Sequence, residues 1–119
     1  MILPREYFDR PTLDVARSLV GKYLVREQGH GLIAGRIIEV EAYIGTEDKA
    51  CHASKGRTAR TDVLFGPPGH AYVYLCYGMH DMLNVVTEQE GFPAAILLRA
   101  VECSGVLING PGRLTRTFD

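Results

Sequence analysis

Two carboxylates in an apolar strand are the first residues that could do chemistry. In "GRIIEVEAYIG", Gly35 to Gly45, Glu39 and Glu41 stand two apart and Tyr43 follows two further on. Strand side chains alternate between faces. Glu39, Glu41 and Tyr43 therefore share one face, and Ile38, Val40 and Ala42 share the other, the core face. Carboxylates at this spacing lie roughly 6.6 Å apart, within the broad range used to cleave glycosidic bonds. Paired catalytic acids usually come from different elements facing each other across a cleft, so the pair does not define a reaction by itself. Arg99 interrupts "AAILLRAV", a run that otherwise reads as fully buried. A buried guanidinium needs a carboxylate, because an unpaired one costs several kcal/mol. Glu39 and Glu41 are the natural partners. The pairing reads either as a structural ion pair or as a device that holds a carboxylate ionised and oriented as a general base.

Other residues add possibilities without deciding among them. His52 sits near the acids, but there is no HExxH and no second histidine at ligand spacing, so a metal site is disfavoured. In "HAYVYLCYGMH", Tyr72 and Tyr74 share a strand face, and Tyr77 and Met79 stand at the tip that follows. Strand tyrosines are usually packing residues with one wet edge. An aromatic and a thioether at a hairpin tip suit a wedge that enters another molecule. Asn84 interrupts the apolar "MLNVV", and a buried amide there must find partners or read a ligand. "SKGRTAR" carries Lys55, Arg57 and Arg60 with no acid, which by itself describes a solvated loop.

The elements that must position these groups follow from punctuation and periodicity. Pro11–Thr12 marks a helix start, Asp14 suits the first turn and Gly21 stops it, with Leu13, Ala16 and Val20 at helical spacing. "KYLVRE" and "LIAGRIIEVEAY", split by "QGHG", read as two strands and a tight turn. "IGTEDKACHASKGRTARTD" is a long polar loop with a helical turn at Thr46 to Cys51, and loops of that length tend to be functional. "GPPG" is a turn, "HAYVYLCY" and "MLNVVTEQ" form a hairpin about "GMHD", and "GFPAAILLRAV" is a buried strand. The tail shows a turn at Asn109 to Gly112 and little after it. One helix followed by strands without a βαβ rhythm argues for α+β, with a curved, mostly antiparallel, partly barrel-like sheet and few flanking helices.

Composition narrows the class. The 119 residues suit one domain, with 46% apolar and 23% charged residues, as in ordinary globular chains. No run approaches membrane-spanning length and the first residues lack a signal-peptide layout, so no membrane partner and a cytoplasmic location are expected. Three cysteines without CxxC spacing read as reduced packing residues. A net charge of −1 gives no global pull toward nucleic acid.

The strings "GRIIEVEAYIGTEDKACHAS", "HAYVYLCYGMHDMLNVV", "AAILLRAVE" and "NGPGRL" resemble, in order, the alkyladenine (3-methyladenine) DNA glycosylases, from about Leu3 to Leu114. The resemblance implies a monofunctional base-excision repair enzyme, without a cofactor or metal. It would be a monomer acting in a bacterial-type cytoplasm on double-stranded DNA that contains alkylated or deaminated purines. It implies that Glu41 is the general base that activates water and that Arg99 holds that glutamate and the water. Tyr43, His52 and Tyr74 would line the pocket and sandwich a flipped base. Asn84 would guard the pocket floor against the amino group of guanine, and backbone groups near Ala50 and His52 would meet the purine edge. Tyr77, helped by Met79, would replace the flipped base in the stack, and Lys55, Arg57 and Arg60 would contact phosphates. The role of Glu39 stays open, with Arg36 or another donor as its partner. Family members carry a substantial segment where only Cys103 to Ile108 join two motifs here, and they continue well past the "GPG[KR]L" turn. A lesion-binding domain of the same family without efficient catalysis is the alternative. A small-molecule hydrolase using Glu39 and Glu41 is a third possibility.

Overall fold

Prolines and glycines cut the chain into short elements, and the apolar periodicity of each sets the face it buries. The structure, a computed structural model, describes residues 2–29, 31–45, 62–76 and 80–118. The order is α1 (Arg5–Phe8), α2 (Thr12–Leu19), β1 (Tyr23–Gln28), β2 (Gly31–Ile44), a 3-10 helix (Asp62–Phe65), β3 (Ala71–Cys76), β4 (His80–Val86), β5 (Ala94–Cys103), β6 (Val106–Asn109) and α3 (Pro111–Phe118). The strands form one curled antiparallel sheet in the order β1-β2-β5-β4-β3. Along β5, one edge meets β2, while the other meets β4 at Ala95–Leu97 and β6 at Ala100–Cys103. The architecture is α+β, as the sequence pattern led us to expect. No described helix is long and apolar enough to cross a membrane.

The helices cover one face of the sheet. Val15, Ala16 and Leu19 of α2 and Leu114 and Phe118 of α3 pack on Ile37, Ile96, Leu98 and Val101. The buried stripe of α2 is thus Thr12, Val15, Ala16 and Leu19, whereas Leu13 and Val20 are exposed. Gly35 makes the approach of α3 possible. A Cβ there would meet Cys103 Sγ at 2.9 Å, Phe118 Cζ at 3.1 Å and Val101 Cβ at 3.1 Å.

Two elements were hidden in the tail. Ser104 (φ 49°) and Gly105 (φ 83°) form a two-residue turn between β5 and β6, and positive φ at both central positions matches the twist of a hairpin. Where little structure was expected after Gly112, α3 forms. Pro111 suits the first helical position, and Leu114 and Phe118, four apart, bury one stripe. The helix is only eight residues long with a glycine second, so its propensity is low and packing decides. Thr115 Oγ1 also donates to the Asp81 carbonyl at 2.8 Å, tying α3 to β4.

α2 is capped from a distance. Pro11 has no side-chain group to accept from the first turn. The Glu88 carboxylate takes that place, with the Thr12 N–H donating to Oε2 at 3.0 Å and the Thr12 hydroxyl donating to the same oxygen. Thr12 Oγ1 also meets Thr87 Oγ1 at 3.0 Å, and both threonines are buried. Glu88 holds a φ of 64°, a conformation that a non-glycine residue keeps only when its surroundings require it. Replacing Glu88 by Ala should lower stability by about 1–2 kcal/mol, the cost of losing a helix cap and a partly buried acceptor. Urea unfolding at neutral pH measures this, and an unchanged midpoint would show that the cap is idle.

Candidate active site

The face of the sheet away from α2 and α3 carries the polar residues. Directly opposed residues in an antiparallel ladder share a face. The pairings Glu41↔Leu97, Leu97↔Asn84 and Asn84↔Tyr72 therefore set Glu41, Leu97, Asn84 and Tyr72 in one row across four strands. Tyr43 stands on the same face beside Ala95, and Tyr74 lies two residues along from Tyr72. Leu64, Tyr72, Val86 and Ala95 form a second buried cluster, with Tyr43, Phe65 and Tyr74 packed against it. The 3-10 helix thus supplies an apolar floor to the aromatic end of this face, through Leu64 and Phe65. Sequence reading passed over this element, although "DVLFGPPG" has an apolar pair before a turn.

A break in the ladder sets the reach of Arg99. The β2–β5 register runs Ile37↔Val101, Glu39↔Ala100, Val40↔Leu98, and it skips Ile38 and Arg99. Ile37 and Val40 consequently both reach the helix-side core although they are three apart. Strict alternation had assigned Ile38 to that face; the bulge transfers the role to Ile37, which is 4% exposed. On the other edge of β5, the Gly110 N–H donates to the Arg99 carbonyl at 2.9 Å, so the "NGPG" turn holds the bulged backbone.

The Arg99 side chain bridges the two acids. Its Nη1 lies 3.5 Å from Glu41 Oε2 and its Nε 3.9 Å from Glu39 Oε2. The Arg99 side chain is 35% exposed, so it sits at the rim of the apolar region and not deep within it as the run had suggested. The desolvation cost is correspondingly smaller, and each pair contributes at most about 1 kcal/mol to stability. Both distances are in ion-pair range but exceed the roughly 2.8 Å of a charge-assisted hydrogen bond. Arg36, considered as a partner for Glu39, instead pairs with Glu102 at 3.8 Å.

Tyr43 completes the contacts of Glu41. Its hydroxyl donates to Glu41 Oε1, the oxygen that Arg99 does not face. Burial, the hydrogen bond to Glu41 and that carboxylate's charge push the Tyr43 phenol well above its ordinary range; Tyr74 adds to the rise and Arg99 opposes it. Tyr43 therefore keeps its proton and stays a hydrogen-bond donor to Glu41. Tyr72 and Tyr74 pack with ring centroids 5.5 Å apart and planes inclined by 38°. The Asn84 amide, 2% exposed, donates from Nδ2 to the carbonyls of Tyr72 at 3.2 Å and Met82 at 3.4 Å. Both partners are acceptors, which fixes the amide's orientation and turns Oδ1 away from them.

The structure thus brings Glu41, Arg99, Tyr43, Tyr74 and Asn84 to one face, with Glu39 beside them. Ala50, His52, Lys55, Arg57, Arg60, Tyr77 and Met79 lie outside the described residues. An ionised carboxylate with a cation on one oxygen and a phenol on the other can orient and deprotonate a water. The aromatic surface beside it can stack a planar ligand.

Comparison with known proteins gives the family of the chain. The methylpurine-DNA glycosylase family pattern matches residues 6–119. The chain is 65% identical over 101 residues to a protein of Methanocella arvoryzae named "Putative 3-methyladenine DNA glycosylase", covering 85% of this chain and 50% of that protein. It is 55% identical to a protein of the same name from Myxococcus xanthus, covering 98% of this chain and 62% of that one. A Legionella pneumophila (strain Corby) protein, again of that name, is 53% identical over 98% of this chain and 65% of its own length. The chain spans between half and two thirds of the length of these relatives. The match covers nearly the whole chain, including every strand of the sheet and the acids, tyrosines and arginine on its open face, and the chain belongs to the methylpurine-DNA glycosylase family.

Proposed function

We propose that residues 1–119 form one glycosylase domain that hydrolyses the N-glycosidic bond of alkylated or deaminated purines in duplex DNA. 3-Methyladenine, 7-methylguanine and hypoxanthine are the expected types of base. The observation that carries this reading is the arrangement of Glu41 with Arg99 Nη1 at 3.5 Å and the Tyr43 hydroxyl on its other oxygen. The family membership supports the substrate class.

A stacked base cannot be attacked at its sugar bond, so it is rotated out at a cost of a few kcal/mol, least for damaged or mispaired bases. Stacking on Tyr43, Tyr74 and His52, at roughly 1–3 kcal/mol per base, offsets that cost. Tyr77 and Met79 fill the vacated space in the helix. Lys55, Arg57 and Arg60 hold phosphates, which makes binding weaken with salt. Asn84 and backbone groups near Ala50 and His52 sort purines by their edges.

The chemical step needs one water. Its oxygen attacks C1′ and its proton passes to Glu41, while the bond to the purine nitrogen breaks and the base leaves with the electron pair. An alkylated purine is electron-poor and leaves readily. The sugar passes through an oxocarbenium-like state, which the Glu41 carboxylate stabilises. Arg99 and Tyr43 keep that carboxylate aimed. Water is the nucleophile, so no lysine adduct forms.

Replacing Glu41 by Gln should lower single-turnover release of hypoxanthine from a duplex by about 10²- to 10⁴-fold while lesion binding persists, the range for loss of a general base. Release at the unmodified rate would remove Glu41 from this role. Retention of lesion DNA by the unmodified chain without any base release would favour a binding domain. A second prediction concerns alkaline pH. The Tyr43 phenol has a folded pKa raised above the ordinary 10.0, so its contribution to stability is fully present below about pH 10 and is lost only as pH climbs through the folded value. The stability difference between the unmodified chain and Tyr43→Phe should stay constant from neutral pH to about 10 and shrink above it. Urea unfolding across that range measures it, and a difference that already shrinks near pH 8 would contradict the assignment.

A further inference from the structure

We infer that Glu39 is a positioning residue for Arg99, and that it acts on the reaction only through the guanidinium. This rests on the reading of Glu41 as the general base.

Arg99 has a long side chain whose free rotamers carry about 2 kcal/mol of entropy, and nothing about an exposed ion pair with Glu41 alone would hold it still. Its backbone is held at the bulge by the Gly110 N–H. Its side chain is met at two separate nitrogens, Nε by Glu39 and Nη1 by Glu41. A carboxylate 3.9 Å from Nε draws that edge of the guanidinium toward Glu39 while Nη1 faces Glu41, and attraction at two separate nitrogens narrows the directions its charged end can take. Glu39 can do this because the register slip places it opposite Ala100, next to the skipped Arg99. Charge points the same way. Two carboxylates on one strand face repel, and a cation shared between them offsets that repulsion. Removing Glu39 would free the guanidinium to swing, or to close fully on Glu41 and weaken it as a base. Either result slows proton abstraction and leaves the binding surface intact.

The test compares Glu39→Ala, Glu39→Gln and Glu39→Asp, with and without Arg99→Ala, by single-turnover release of hypoxanthine from duplex DNA. Glu39→Ala should lower the maximal rate by about ten-fold, as expected when a catalytic group is misaimed. Half-saturation by DNA and the urea midpoint should be unchanged. Glu39→Gln, which keeps the length of the side chain but not its charge, should be as slow as Glu39→Ala, whereas Glu39→Asp should regain part of the rate. With Arg99 replaced by Ala, removing Glu39 should cost nothing further. A Glu39→Gln variant as fast as the unmodified chain, a Glu39→Asp variant no faster than Glu39→Ala, or full additivity with Arg99→Ala would overturn the proposal. If the unmodified chain releases no base, the glycosylase reading fails and the link is judged by nuclear magnetic resonance. The Arg99 Nε–H resonance should then shift in Glu39→Ala as the neighbouring charge is removed, and an unchanged signal would overturn the link itself.

Discussion

The site depends on one irregularity in a β-ladder. A sheet rich in Ile, Leu and Val offers no place for a guanidinium if its register is perfect. The slip that skips Ile38 and Arg99 creates that place at the rim, where Arg99 is 35% exposed and reaches both Glu39 and Glu41. The pairs gain little as stabilising interactions, because exposed ion pairs contribute about 1 kcal/mol or less. Their value lies in direction. The bulged strand, the Gly110 N–H on its far edge and two carboxylates together leave the charged end of Arg99 few orientations.

The sheet separates stability from chemistry. On one face, α2 and α3 bury Val15, Leu19, Leu114 and Phe118 against Ile37, Ile96, Leu98 and Val101. This face holds β2 and β5 together, the two strands whose slip matters. Among the described residues, the other face carries acids, tyrosines and a buried amide, with the 3-10 helix beneath its aromatic end. Gly35 links the two sides, because a side chain there would push Phe118 and α3 away from the strands that carry the acids. A fault in α3 packing should therefore be felt at the face that carries the acids, although α3 contributes no side chain to it among the described contacts.

Much of this was legible in sequence because a few residues contradict their surroundings. Glu39, Glu41, Arg99 and Asn84 are polar groups in apolar strands, and each required a partner that the fold supplies. The long, unusual strings around them made the family legible as well. The tail was not. α3 starts at Pro111 and Gly112, has no strong propensity and exists through the burial of Leu114 and Phe118, which is a tertiary effect. The bulge was invisible for a similar reason. Alternation assigned Ile38 to the core, and only the pairing of β2 with β5 reveals that Ile37 takes that place. The distant cap on α2 by Glu88 joins residues 76 apart in sequence, a distance no local rule spans.

The most direct measurement of the central claim is a crystal structure of the protein with a duplex containing 2′-fluoro-2′-deoxyinosine, whose glycosidic bond resists hydrolysis. The account predicts hypoxanthine out of the helix and stacked on Tyr43 and Tyr74. It also predicts a water within about 2.6–3.2 Å of Glu41, held on the face where Arg99 and Tyr43 fix that carboxylate. A base left in the helix, or one bound elsewhere with Glu41 and Arg99 facing bulk solvent, would contradict it.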